Sequence, residues 1–76
     1  MNIAYAIKDA DTDEFLCRNG YGPFDTNMAF VELYSSTSVA ETQLINTIRK
    51  GHTRWLKGYR VTRKLVITKL NITEVE

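Results

Sequence analysis

Only one stretch of this chain repeats its apolar side chains at helical spacing, and the segments on both sides of it alternate with the period of strands. Ala40, Leu44, Ile45 and Ile48 recur on one face, with Thr42, Gln43, Asn46 and Arg49 opposite. Ser38 with Glu41 three residues later forms a capping box, so the helix is predicted to begin there. Arg49-Lys50-Gly51 sets cations at the negative end of the helix dipole and supplies a glycine that can take positive φ, which makes a stop. A second stop stays open. Trp55 lies seven residues beyond Ile48 on the same stripe, so the helix can also run through Gly51 to Gly58, and whether Trp55 is buried depends on that choice.

The flanking segments supply the sheet. Ile3, Tyr5 and Ile7 alternate with Ala4, Ala6 and Lys8, and the Asp9-to-Asp13 run is rich in side chains that hydrogen-bond their own backbone in turns. Glu14 to Arg18 then reads as the returning strand, and Asn19-Gly20-Tyr21-Gly22-Pro23 as the strongest breaker. Phe30 to Tyr34 is short, aromatic and branched, and reads as a third strand. From Tyr59 onward Val61, Leu65 and Ile67 share one parity and Val66, Leu70 and Ile72 the other, which predicts a long central strand with a bulge or two buried faces near 65–67. The expected fold is α+β: one domain over residues 1–76, a small mostly antiparallel sheet in the order βββαβ, and one helix on one face. Ala40, Leu44 and Ile48 are expected to pack on Ile3, Tyr5, Ile7, Leu33 and Leu65.

With 76 residues the core is thin. A deep pocket would remove the packing that holds so small a domain together, so binding is expected rather than catalysis, with no cofactor. The single cysteine, Cys17, excludes an internal disulfide and a cysteine-based zinc site and fits a reducing compartment. Met1-Asn2-Ile3 carries no basic n-region and no apolar run approaches membrane-spanning length, so neither a signal peptide nor a membrane partner is expected, and Asn71-Ile72-Thr73 is no glycosylation site. The expected location is cytoplasmic.

Charge is divided along the chain. Residues 1–48 hold Lys8 and Arg18 against Asp9, Asp11, Asp13, Glu14, Asp25, Glu32 and Glu41, a balance of −5. Residues 49–73 hold Arg49, Lys50, Arg54, Lys57, Arg60, Arg63, Lys64 and Lys69 with no acid, a balance of +8, before Glu74 and Glu76. Such asymmetry points to a partner, and it also allows a homodimer that pairs head to tail or edge to edge.

The run from Tyr5 to Cys17 resembles the chain-end hairpin of many small uncharacterised bacteriophage proteins, in which an Ile-Lys strand and a turn lead to a second strand. The resemblance continues through Gly20-Tyr21-Gly22, Ala29, the Val31-to-Ser35 segment and Ser38-Val39-Ala40, and so covers about the first fifty residues. It implies a phage accessory protein, a class that often blocks host enzymes or defence systems by binding them in the bacterial cytoplasm. It transfers no functional residue.

Several constellations have plain readings. Asp9-x-Asp11-x-Asp13 opens like a calcium loop but lacks its glycine and glutamate, so a solvated turn is expected and no metal. His52 and Cys17 lack a third orienting group; Cys17 reads as a small side chain in a strand and His52, just past a helix end, as a surface residue. Tyr21 and Phe24 either fold back on the core or stand exposed as anchors for a protein partner. The strongest feature is residues 49–64, where Lys50, Arg54, Lys57, Arg60, Arg63 and Lys64 surround Trp55 and Tyr59. This segment is expected to bind a host protein or nucleoprotein complex and so inhibit or modulate a host machine, with a nucleic-acid module as the alternative.

Overall fold

The computed structural model describes residues 2–72; Met1, Thr73, Glu74, Val75 and Glu76 lie outside them. The elements are β1 (Asn2–Asp9), β2 (Phe15–Leu16), β3 (Phe24–Asp25), a 3-10 turn over Met28–Phe30, α1 (Thr37–Arg49), β4 (Thr53–Leu56), β5 (Tyr59–Thr62) and β6 (Leu65–Ile72). The expected α+β class is found, with one helix and a mostly antiparallel sheet, in the order βββαβββ. The main sheet runs β3-β2-β1-β6, and β4 and β5 form a separate two-stranded ribbon.

The central strand is β1. It pairs along its full length with β6, from Asn2 opposite Ile72 to Asp9 opposite Leu65, and at Lys8 with Phe15 of β2. Centrality explains its composition, since Ala4 and Ala6 on one face and Ile7 on the other are all buried. The long strand expected in the middle is instead two strands in different sheets, broken at Arg63-Lys64, and its second part is an edge. That break accounts for the parity change near 65–67: Val61 belongs to the ribbon, whereas Leu65 and Ile67 pack into the core.

Phe30 to Tyr34 is not a strand. Beyond the Lys8–Phe15 pair this segment enters between β1 and β2, bridging Cys17 through Val31 and Tyr5 through Tyr34. Its backbone is bonded on both sides, Glu32 N–H to Leu16 carbonyl at 3.0 Å and Tyr34 N–H to Tyr5 carbonyl at 2.8 Å. The third strand is Phe24–Asp25, directly after the glycine-proline loop.

The helix starts one turn-half earlier than its sequence suggests. Ser36, not Ser38, is the N-cap, and its hydroxyl accepts from Val39 N–H at 3.3 Å. It stops at the earlier of the two expected points, with Gly51 at φ 70°. Its buried face is centred on Ala40 and Thr47, flanked by Gln43 and Leu44, so the apolar stripe read from sequence is rotated: Ile45 and Ile48 are exposed. Thr47 tolerates burial because its hydroxyl donates to the Gln43 carbonyl at 2.7 Å. The core joins Ile7, Leu16, Tyr34 and Ala40, with Tyr5, Phe24, Leu44, Leu65 and Ile67 around them; Ile3 and Leu33, expected there, are exposed.

Tyr34 carries a testable consequence. Its hydroxyl is closed off from solvent without a hydrogen-bond partner among the described residues, and burial, reinforced by the Glu32 carboxylate, pushes its pKa up to about 12. The folded state therefore holds the phenol proton more tightly than the unfolded chain, whose value is near 10. This contribution is intact below pH 10 and is lost as pH rises through about 12. Chemical denaturation across that range should show a shallower loss for Tyr34→Phe than for wild type, and at neutral pH the substitution should cost under about 0.5 kcal/mol because no bond is broken. Identical alkaline profiles would contradict the placement.

Candidate functional site

The β4–β5 ribbon is a tight hairpin. Lys57 and Gly58 occupy its two-residue turn with φ 52° and 83°, the positive pair that a type I′ turn requires and that matches the twist of the strands. Trp55 stands opposite Arg60 and Leu56 opposite Tyr59. Gly58 therefore makes a hairpin turn, not a helix stop. Beyond its base the ribbon packs extensively only on itself, and we refer to it as the arm.

A two-stranded hairpin is marginal in water by itself, so its attachment decides its order. The attachment is the acidic turn after β1. Asp9 is fully buried. One of its oxygens accepts from the N–H groups of Asp11 at 2.9 Å and Thr12 at 3.4 Å, which builds the turn. The other receives Arg63 Nη1 at 3.0 Å and lies 3.4 Å from Arg54 Nε, the latter an ion pair without hydrogen-bond alignment. Arg54 also binds Asp11 at 2.8 Å, and Arg63 binds Glu14 at 3.0 Å. The two arginine side chains retain only 10% and 11% of their exposure.

This cluster corrects two expectations. The Asp-rich turn is not simply solvated, since its first member is the most enclosed charge among the described residues. Arg54 and Arg63, expected to offer charge to a partner, are turned inward to Asp9, Asp11 and Glu14. Part of the charge asymmetry along the sequence is thus matched within the chain. Among the described residues no three acidic, histidine or cysteine side chains are arranged to hold a metal ion.

The remaining residues of the segment face outward. Trp55 is 66% and Tyr59 75% exposed, so Trp55 is not a core residue, and Leu56, Lys57 and Arg60 are exposed beside them. Arg60 lies over the Trp55 ring at 5.3 Å, an attraction of cation and π face that holds both side chains on one side of the arm. Lys50 and Lys64 lie exposed near the ends of the helix and arm.

Tyr21 and Phe24 separate. Phe24 is half-buried under the arm, with the Arg63 guanidinium 4.0 Å from its ring centre and His52 edge-on at 5.4 Å. His52 is accordingly half-buried and not a plain surface residue. Tyr21 stays exposed but stacks on Phe30 at 4.7 Å. Only Tyr21 is therefore open to a partner.

An open cleft of about 430 Å³ lies between the Leu16–Pro23 segment and the second half of α1, which the thin core did not lead us to expect. It forms between chain segments rather than inside the core. Cys17 and His52 both line it, with Glu32, Tyr34, Gln43 and Lys50. The cysteine is not set up as a nucleophile: burial and the nearby Asp25 carboxylate raise its pKa, and its thiol donates weakly to the Phe15 carbonyl at 3.4 Å.

The chain matches no protein-family model, no curated protein and no solved structure. No helix among the described residues is long and apolar enough to cross a membrane.

Removing one partner from a buried charge cluster leaves the others desolvated, which typically costs 3–5 kcal/mol. Because Asp9 keeps Arg54, Arg63→Ala should lower unfolding free energy by about 2–4 kcal/mol, whereas Arg60→Ala should change it by less than about 0.5 kcal/mol. Equal effects in urea denaturation would contradict the inward placement of Arg63.

Proposed function

We propose that this chain is a binding protein of the phage accessory type, which attaches to a host macromolecular machine, a defence system among the candidates, and inhibits or modulates it through the tip of the β4–β5 arm. The observation that carries this reading is the exposure of Trp55 and Tyr59 on a tethered hairpin. Burying an exposed indole or phenol ring against a partner releases water from a large apolar area, and tryptophan, tyrosine and arginine dominate the energetics of protein interfaces. All three stand within the six residues Trp55 to Arg60. A tethered arm also loses little freedom when it binds, which favours affinity.

A protein partner is favoured over nucleic acid by the charge that remains. With Arg54 and Arg63 matched by carboxylates, the arm tip offers Lys57 and Arg60 beside three apolar side chains, Trp55, Leu56 and Tyr59. A phosphate-tracking surface relies on a denser row of free cations. A protein surface with an apolar pocket and an acidic rim fits this tip better.

The double substitution Trp55→Ala/Tyr59→Ala should leave the far-ultraviolet dichroism and thermal midpoint of the β1–β6 sheet unchanged and should abolish a partner retained by wild type from nuclease-treated bacterial lysate. Retention of the same partner by the folded variant would place the interface elsewhere. Wild-type binding to random DNA or RNA that weakens steeply with salt would instead favour the nucleic-acid module.

A further inference from the structure

The far side of β6 is a second unfinished surface. Among the described residues no strand lies beyond it, so alternate residues of an eight-residue strand direct N–H and C=O groups outward. Open edges of this length are usually protected by proline, a bulge or several charges, and β6 has only Lys69.

The helix leaves an apolar flank above the same edge. Gln43 and Lys50 line the cleft against the β2 side of the sheet. On a helical wheel, Ile45 and Ile48 fall on the opposite flank, and β6 lies on the opposite side of β1 from β2. The exposed Ile45 and Ile48 therefore stand over the open edge, at 51% and 57% exposure. Leu44, the neighbour of Ile45, packs in one cluster with Leu65 and Ile67, which places the middle of the helix above the first half of the strand.

We infer that a second copy of this chain covers this surface, pairing β6 with β6 antiparallel about a two-fold axis near Ile67. Antiparallel pairing about an axis perpendicular to the sheet keeps both helices on one face, so the same operation that satisfies the open edge brings the Ile45 and Ile48 flanks together. The charges agree with it. Glu41 and Arg49 lie four residues before and after Ile45, both exposed and without an ion-pair partner among the described residues. With the two helices antiparallel, Glu41 of each copy faces Arg49 of the other, giving the pair twice. The axis near Ile67 also sets Lys69 opposite Leu65 rather than opposite its own equivalent. A host protein seated on this edge would need neither the self-complementary charge spacing nor the isoleucine pair at its centre.

Sedimentation equilibrium over a concentration series tests the inference, with helical content checked by circular dichroism. Wild type should reach a dimer at high micromolar concentration, and Ile45→Glu/Ile48→Glu should remain monomeric while folded. Glu41→Arg and Arg49→Glu should each lose the dimer, and the combined Glu41→Arg/Arg49→Glu chain should regain it, an outcome that only reciprocal pairing produces. A monomeric wild type, a dimer indifferent to the isoleucine substitutions, or failure of the combined variant to regain the dimer would each overturn it. Trp55→Ala/Tyr59→Ala should leave the dimer intact, which separates this surface from the arm.

Discussion

The Asp9 carboxylate determines how the second half of this molecule is arranged. Enclosing a carboxylate is expensive, several kcal/mol even after relaxation, unless each oxygen finds a donor. Here one oxygen closes the turn through backbone N–H groups and the other draws two guanidinium groups, one from β4 and one from the residue that follows β5. Charge-assisted bonds of this kind offset desolvation and are directional, so the cluster positions more than it stabilises. It fixes the arm's base relative to β1, and Phe24 and His52 pack beneath the same Arg63.

From this constraint the exposed tip follows. Arg54 of β4 and Arg63, just beyond the end of β5, both enter the hub, and the residues between them have no core of their own to enter. Alternation turns Trp55 to the face opposite Arg54, while Leu56 and its partner Tyr59 share the face of Arg54 but lie nearer the turn, and all three stay exposed. Large exposed aromatic side chains on an anchored ribbon have no role in folding that the structure supports, which is why the binding proposal centres on them.

The α+β class was legible because period-two and helical patterns differ sharply at Ile3 to Lys8 and Ala40 to Ile48. The helix stop at Gly51 was legible for the same local reason. Tertiary competition hid the rest. Thr47 enters the core by bonding Gln43 carbonyl, and periodicity that scores only apolar residues rotates the face toward Ile48. Phe30 to Tyr34 has strand composition but fills a fork between two strands, a place set by long-range pairing. The arm did leave a local signal: Lys57-Gly58 flanked by Arg54-Trp55-Leu56 and Tyr59-Arg60-Val61 reads as a hairpin once Gly58 is taken as a turn. Lys57, Tyr59 and Arg60 of that segment are exposed, and so is Trp55, whose burial the sequence left open. Arg54 and Arg63 are not, and sequence distance conceals that residues 9 and 63 meet.

Amide hydrogen exchange on Asp9→Asn tests the tether most directly. Asparagine keeps the side-chain oxygen that accepts from Asp11 and Thr12 N–H and removes the charge that holds Arg54 and Arg63. If the hub orders the arm, residues 53–62 should lose protection while the β1–β6 ladder retains it. Unchanged protection in the arm of a folded Asp9→Asn protein would contradict the account.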